Sequence, residues 1–289
     1  MNLTGIVLAG GKGTRYGFNK LKIKAGSVPL FIDQIFKLNF FCSEILVCTS
    51  KSNYPVIFSE ISKIRSYQKK YNFEKMDSLK INAGNFFKKA LKPPDVRIIL
   101  DKDNLSDLNK DHLRQVLRNP KNKGPVIGIY TGLLYARYLY SIVVAFDMPF
   151  ISYNLLNLLI NISGLNHKKS GSSKPVSLYH KRTEGKAVYV IKTGKGFEAL
   201  CGLYSKDCLD ILKENIKKQK YKISDAFGCL DTEIISEKNP GISGIDSLNF
   251  FNINRTQDYD KFKDLWQDKK DSLNTNASFI EIWSDFFFR

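Results

Sequence analysis

A chain of 289 residues, 43% of them hydrophobic, is long enough to bury one large α/β core, and its formal charge of +17 points to anionic partners. The apolar stretch at residues 133–151 is interrupted by Arg137 and Asp147, which excludes a membrane span there, and the first residues enter a strand without a signal-peptide layout. Cys42, Cys48, Cys201, Cys208 and Cys229 show no Cys-x-x-Cys spacing, and with only three histidines this argues against a zinc cage and for a reducing, cytoplasmic setting.

In chain order, the first element is the apolar run Ile6-Val7-Leu8-Ala9, which reads as a buried parallel strand. It opens into Gly10-Gly11-Lys12-Gly13-Thr14-Arg15-Tyr16-Gly17 and ends near Lys20. Glycines let main-chain N–H groups approach a phosphate closely, while Arg15 and Lys20 bring positive charge, so the loop has the outline of an anion site. A Walker loop is excluded because Gly13 follows Lys12, and a dinucleotide fingerprint because Tyr16 stands where the third glycine belongs. The plainer alternative is a glycine-rich turn with no ligand.

Residues 27–30 read as a helix entry, with Phe31, Ile35 and Leu38 as its apolar stripe, and Glu44-Ile45-Leu46-Val47-Cys48 as the second strand. Ile57, Ile61 and Ile64 repeat at helical spacing before Pro93-Pro94 breaks the chain. The strand Val96-Arg97-Ile98-Ile99-Leu100 then ends at Asp101. The polar stretch 102–123 reads as an insertion with a short helix around Leu113, Val116 and Leu117. A helix after Gly124-Pro125 leads to the strand at residues 141–146, which runs into Asp147-Met148-Pro149.

In an open α/β sheet ligands bind outside the carboxyl ends of the strands, so Gly10, Asp101 and Asp147 are expected to line one crevice. Alternatively, Asp147 merely caps the helix starting near Ser152. Residues 164–186 read as a loop excursion, and residues 187–191 and 200–204 as a strand pair joined across Thr193-Gly194-Lys195-Gly196. Leu209, Leu212 and Ile216 alternate with Lys213, Lys217 and Lys220 on an amphipathic helix. Phe279, Ile282, Trp283 and Phe286 form a helical stripe suited to docking on the body or on a second copy, which makes a homo-oligomer one expectation.

The signature Leu8-Ala9-Gly10-Gly11-x-x-x-Arg15-Tyr16-Gly17-x-x-Lys20 resembles the nucleotidyltransferases of the glycosyltransferase-A-like fold, and most closely the molybdenum cofactor guanylyltransferases. Residues 124–136 resemble that family's Gly-Pro-Leu-Ala-Gly segment, Asp147-x-Pro149 its metal-binding Asp-x-Pro, and residues 197–204 its Pro-Leu-x-Ala-Leu-Tyr strand. Residues 250–258 resemble its closing Asn-x-Asn-Thr-Pro-Glu-Asp motif, with Arg255, Thr256 and Gln257 in place of Thr-Pro-Glu. The likeness runs in order from about residue 3 to about residue 265.

It implies a three-layer Rossmann-like α/β fold with a mostly parallel central sheet flanked by helices. One nucleotidyltransferase domain is expected over residues 1–268, with insertions near 102–123 and 164–186, followed by a helical extension at 269–289. It further implies transfer of a nucleoside monophosphate, GMP from GTP in the first instance, to a phosphorylated small-molecule acceptor such as molybdopterin, with release of pyrophosphate. Leu8, Ala9, Gly10, Gly11, Lys20, Asp101 and Asp147 would bind the nucleotide; Arg15, Lys20 and Asp147 would be catalytic; Asp147 and Asn252 would hold Mg²⁺. Asp101 keeps the family's base-contacting aspartate, whereas Cys48-Thr49-Ser50 occupies the place of an asparagine that the family carries after its second strand. The alternatives are a cytidylyl- or sugar-phosphate nucleotidyltransferase of the same fold, and a basic, non-catalytic nucleotide- or RNA-binding protein. The scatter of the lysines, with local pairs such as Lys69-Lys70 and no separate basic tail, speaks for solvated faces over nucleic-acid binding.

Overall fold

Thr4–Ala9 (β1) is buried along its whole length, as a parallel strand covered on both faces must be. The computed structural model describes residues 2–10, 20–71, 93–100, 124–165, 185–237 and 245–272. Beside β1 lie the equally buried strands Glu44–Thr49 (β4) and Tyr140–Ala145 (β6), following a short hairpin of Lys24–Ala25 (β2) and Val28–Pro29 (β3). Val96–Leu100 (β5), Val188–Thr193 (β7), Gly196–Ser205 (β8) and Thr232–Ser236 (β9) complete a seven-stranded sheet of order β5-β4-β1-β6-β8-β7-β9. Only β8 runs against the others, so the sheet is mostly parallel, as expected.

Strand alternation sorts the side chains to two faces. Val7, Val47, Val144 and Leu203 pack against Leu30–Asn39 (α1) and Tyr153–Ile162 (α5), with Ile57 of Tyr54–Ser62 (α2) in the same cluster. The helix Ile64–Tyr71 (α3) follows α2. Ile6, Leu8, Leu46 and Val143 face the other way, against Pro125–Tyr135 (α4) and Leu209–Lys217 (α6). Helices thus cover both faces. A third cluster joins the β2–β3 hairpin to Phe150 and to Phe262 of the last described helix, Thr256–Ser272 (α7).

The stripes foreseen at Phe31, Ile35 and Leu38 and at Leu209, Leu212 and Ile216 lie on α1 and α6, Ile57 and Ile61 lie on α2 with Ile64 opening α3, and those around Leu113 and Phe279 fall outside the described residues. The strand pair after residue 187 is a β7–β8 hairpin turning on Gly196, whose φ of +119° strains any residue with a side chain. Ser152, and not Asp147, caps α5: its hydroxyl accepts from the Leu155 N–H at 3.2 Å. The insertion at 102–123, most of 164–186, and the extension beyond residue 272 lie outside the described residues. Among the described residues no helix is long and apolar enough to cross a membrane.

Candidate active site

The chain leaves β1 for β4 and β5 on one side and then crosses to β6 on the other, so the carboxyl ends of β1 and β6 flank a topological switch point. Leu8 and Ala9 end β1 there, Gly10 follows, and Asp147 stands two residues beyond the end of β6. The Phe146 N–H donates to the Leu8 carbonyl at 3.2 Å, stitching the two ends together. The Ala9 carbonyl accepts from Thr49 Oγ1 at 3.0 Å and from Asn53 Nδ2 at 3.1 Å. The first peptide of the glycine loop is therefore held from the end of β4 and the start of α2.

Lys20 opens the 3-10 turn Lys20–Lys22, and its Nζ lies 3.2 Å from Asp147 Oδ2. The same ammonium donates to the Ile253 carbonyl at 2.7 Å, while the Ile253 N–H donates to the Asp147 carbonyl at 3.0 Å. Three distant parts of the chain meet at one residue, Ile253. Beside it, the Asn252 amide oxygen is buried with no hydrogen-bond partner among the described residues. A buried acceptor left open costs more than a hydrogen bond returns, which marks this atom as a place where a ligand fits.

Asp147 is largely withdrawn from water, and burial pushes its carboxyl above the usual carboxylate range, with Lys20 pulling in the opposite direction. Such a carboxylate is eager for a second positive charge. Among the described residues no three His, Cys, Asp or Glu gather as a metal cage. One carboxylate and one amide oxygen nevertheless suit Mg²⁺, which keeps most of its shell for phosphates and water.

Thus Lys20, Asp147 and the strap bearing Asn252 come together at the mouth reached by Leu8, Ala9 and Gly10. Gly11, Arg15 and Asp101 lie outside the described residues. The closing turn survives its changed sequence, because the Asp258 carboxylate accepts from the N–H groups of Asn254 (2.8 Å) and Arg255 (2.7 Å). Asn53 was missed by sequence reasoning, which sought an asparagine immediately after β4 and found Cys48-Thr49-Ser50. The structure puts one four residues past the strand, and the signal for it was Asn-Tyr-Pro at a helix start.

A family described as the MobA-like NTP transferase domain matches residues 88–227. The molybdenum cofactor guanylyltransferase of Desulfosudis oleivorans is 25% identical over 139 residues, 48% of this chain and 59% of that protein. The probable molybdenum cofactor guanylyltransferase of Thermococcus gammatolerans is 26% identical over 266 residues, 90% of this chain and 98% of that one. The crystal structure of molybdopterin-guanine dinucleotide biosynthesis protein A from Archaeoglobus fulgidus superposes with a TM-score of 0.55 at 17% identity, covering 92% of this chain and 99% of the other.

Residues 88–227 are thus similar to a MobA-like NTP transferase domain, and the chain shares the fold of the Archaeoglobus structure. The MobA-like match takes in β5, α4, β6, α5 and the β7–β8 hairpin, hence Asp147, while the glycine loop precedes it. The chain spans 59% of the length of the Desulfosudis relative, and almost all of the Thermococcus one.

Proposed function

We propose that the chain is a Mg²⁺-dependent nucleotidyltransferase that moves GMP from GTP to the phosphate of an acceptor, molybdopterin. The observation that carries this reading is the Lys20–Asp147 contact at the switch-point crevice, directly beside the strand end that delivers the glycine loop. An acceptor phosphate oxygen attacks the α-phosphorus, the bond to the α–β bridging oxygen breaks, and pyrophosphate leaves with that electron pair. The reaction asks for positioning and charge neutralisation more than for covalent catalysis.

Leu8, Ala9 and the backbone N–H groups of Gly10 and Gly11 would cradle the triphosphate, while Arg15 and Lys20 would offset the charge that builds on its leaving part. Asp147 and Asn252 are the residues that fit Mg²⁺, which when bound neutralises phosphate oxygens and orients them. Asp101 would accept from guanine N1–H and the 2-amino group, a donor pair that adenine and the pyrimidines lack. Asn53, held on the Ala9 carbonyl, borders the same mouth.

The test is a thermal-shift panel of GTP, ATP, CTP and UTP with Mg²⁺, followed by a pyrophosphate-release assay with molybdopterin. A ligand at a hundredfold excess over Kd stabilises the fold by about 2.7 kcal/mol, so the preferred base stands out as the largest shift. GTP is expected to lead, and Asp101→Ala to flatten its lead while triphosphate binding persists. A lead for CTP would replace the reading with a cytidylyltransferase. No nucleotide shift, together with salt-sensitive RNA binding, would replace it with a basic binder.

A further inference from the structure

We infer that Gln34, Lys37 and Asp33 of α1 are positioning residues that set the direction of the Asp147 carboxylate. The inference rests on the reading of Asp147 as a metal ligand given above. All ten residues of α1 are buried, and these three polar side chains, 2% exposed or less, sit inside the protein. Lys37 Nζ donates to the Pro149 carbonyl at 2.7 Å and lies 2.9 Å from Asp33 Oδ2 one helical turn back. Gln34 Nε2 donates to the Met148 carbonyl at 2.8 Å.

With Ile253 N–H on the Asp147 carbonyl, three successive carbonyls, those of residues 147, 148 and 149, are gripped from two sides. Fixing a carbonyl fixes its peptide plane: the plane of the Asp147 carbonyl bounds the Asp147 Cα on one side, and those of the Met148 and Pro149 carbonyls anchor the two peptides that follow it, so the segment that leaves Asp147 has a fixed course. A buried loop needs partners for its carbonyls in any case, and neutral donors meet that need. An ion pair sealed from water is a costly way to do so, and its return is a single allowed geometry.

The same helix also references the opposing charge. Its first residue, Leu30, donates its N–H to the Ile23 carbonyl, and Ile23 donates to the Lys20 carbonyl, both at 3.0 Å. Lys20 and Asp147 are thus both measured off α1, which keeps cation and carboxylate in register.

The test compares Lys37→Met, Gln34→Leu and Asp147→Asn with the wild type in three measurements. These are Mn²⁺ binding followed by electron paramagnetic resonance, GTP binding in EDTA, and the Mg²⁺ concentration that half-saturates pyrophosphate release. Outer residues that orient a ligand typically contribute 10–100-fold in metal affinity, so Lys37→Met is expected to weaken Mn²⁺ binding about tenfold. It should raise the half-saturating Mg²⁺ in parallel, with metal-free GTP binding and the KM for GTP at saturating Mg²⁺ unchanged. Gln34→Leu, which leaves the ion pair in place, is expected to move both metal readouts the same way, and decides the matter alone should Lys37→Met not fold. Wild-type Mn²⁺ affinity in the folded α1 variants would overturn the proposal, as would equal losses of metal and metal-free GTP binding, the mark of general loosening. Unchanged Mn²⁺ affinity in Asp147→Asn would instead remove the metal reading itself.

Discussion

Replacing Gly132 by alanine sets two terms of known sign against each other. Gly132 lies on α4 where that helix crosses β1, and an added Cβ would stand 2.7 Å from Ile6 Cδ1, 2.8 Å from Cγ2 and 3.1 Å from Cγ1. Ile6 is wholly buried and its branched Cβ restricts χ1, so it has little room in which to retreat. Overpacking of this kind costs roughly 1–3 kcal/mol, and contact with two atoms below 3 Å places the site in the upper half of that range. Against it, alanine is better than glycine inside a helix by about 1 kcal/mol. The clash wins by about 1–2 kcal/mol, which at roughly 2–4 °C per kcal/mol lowers Tm by about 2–8 °C. Urea denaturation gives the loss directly, and a double-mutant cycle with Ile6→Val identifies its source. Removing Cδ1 takes away the closest contact, so the pair should cost less than the sum of its parts. A Gly132→Ala protein as stable as the wild type, or strict additivity with Ile6→Val, would refute the close approach of α4 to β1.

The remaining predictions concern the site and the thiols. Asp147→Asn is expected to abolish most turnover in a pyrophosphate-release assay while leaving the fold at least as stable. Because burial raises the folded-state pKa, ionising Asp147 costs stability as pH climbs through and above the ordinary carboxylate range, so the Tm advantage of the asparagine variant should open there and close below it. Lys20→Ala should lower kcat by about 10²–10³-fold at an unchanged acceptor KM, and a raised acceptor KM at full rate would move Lys20 off the triphosphate. Of the five cysteines only Cys229 is exposed, and burial pushes Cys201 and Cys208 up to about 12, so a thiol reagent at neutral pH should label one site in the native protein and five after denaturation.

Much of the fold was legible because it rests on patterns that local chemistry enforces. Continuous apolar runs gave the parallel strands β1, β4 and β6, and the Phe31, Ile35, Leu38 stripe gave α1. Asp147 was found from its place at a strand end. The same stripe concealed Asp33, Gln34 and Lys37: their types and spacing assign them to the wet side of an amphipathic helix, whereas the return of the chain at Met148 and Pro149 gives Gln34 and Lys37 buried carbonyl partners. Ile253 joins Lys20 to Asp147 through its backbone, and main-chain N–H and C=O groups leave no mark in a sequence. Asn53 was passed over because the turn after β4 carries it four residues past the strand, where its mark is Asn-Tyr-Pro at a helix start and not a place directly after the strand.

The Ile253 side chain is part of the reason that residue stands where it does. It is wholly buried in the cluster formed by Ile23 and Ala25 of the segment after Lys20, by Phe150 of the segment after Asp147, and by Phe262 of α7. Phe150 lies 5.7 Å from both Phe251 and Phe262, ring centre to ring centre, so aromatic packing brackets the strap on either side of Ile253. Burying an isoleucine side chain is worth roughly 1.5–3 kcal/mol, and the two hydrogen bonds of residue 253, one of them from the Lys20 ammonium, contribute about as much. The apolar contact and the polar ones therefore fix residue 253 together. The charged pair at the crevice is in this way backed by an uncharged cluster. The amide oxygen of Asn252, one residue before, has no hydrogen-bond partner among the described residues, so the strap that carries it takes its anchorage from Ile253.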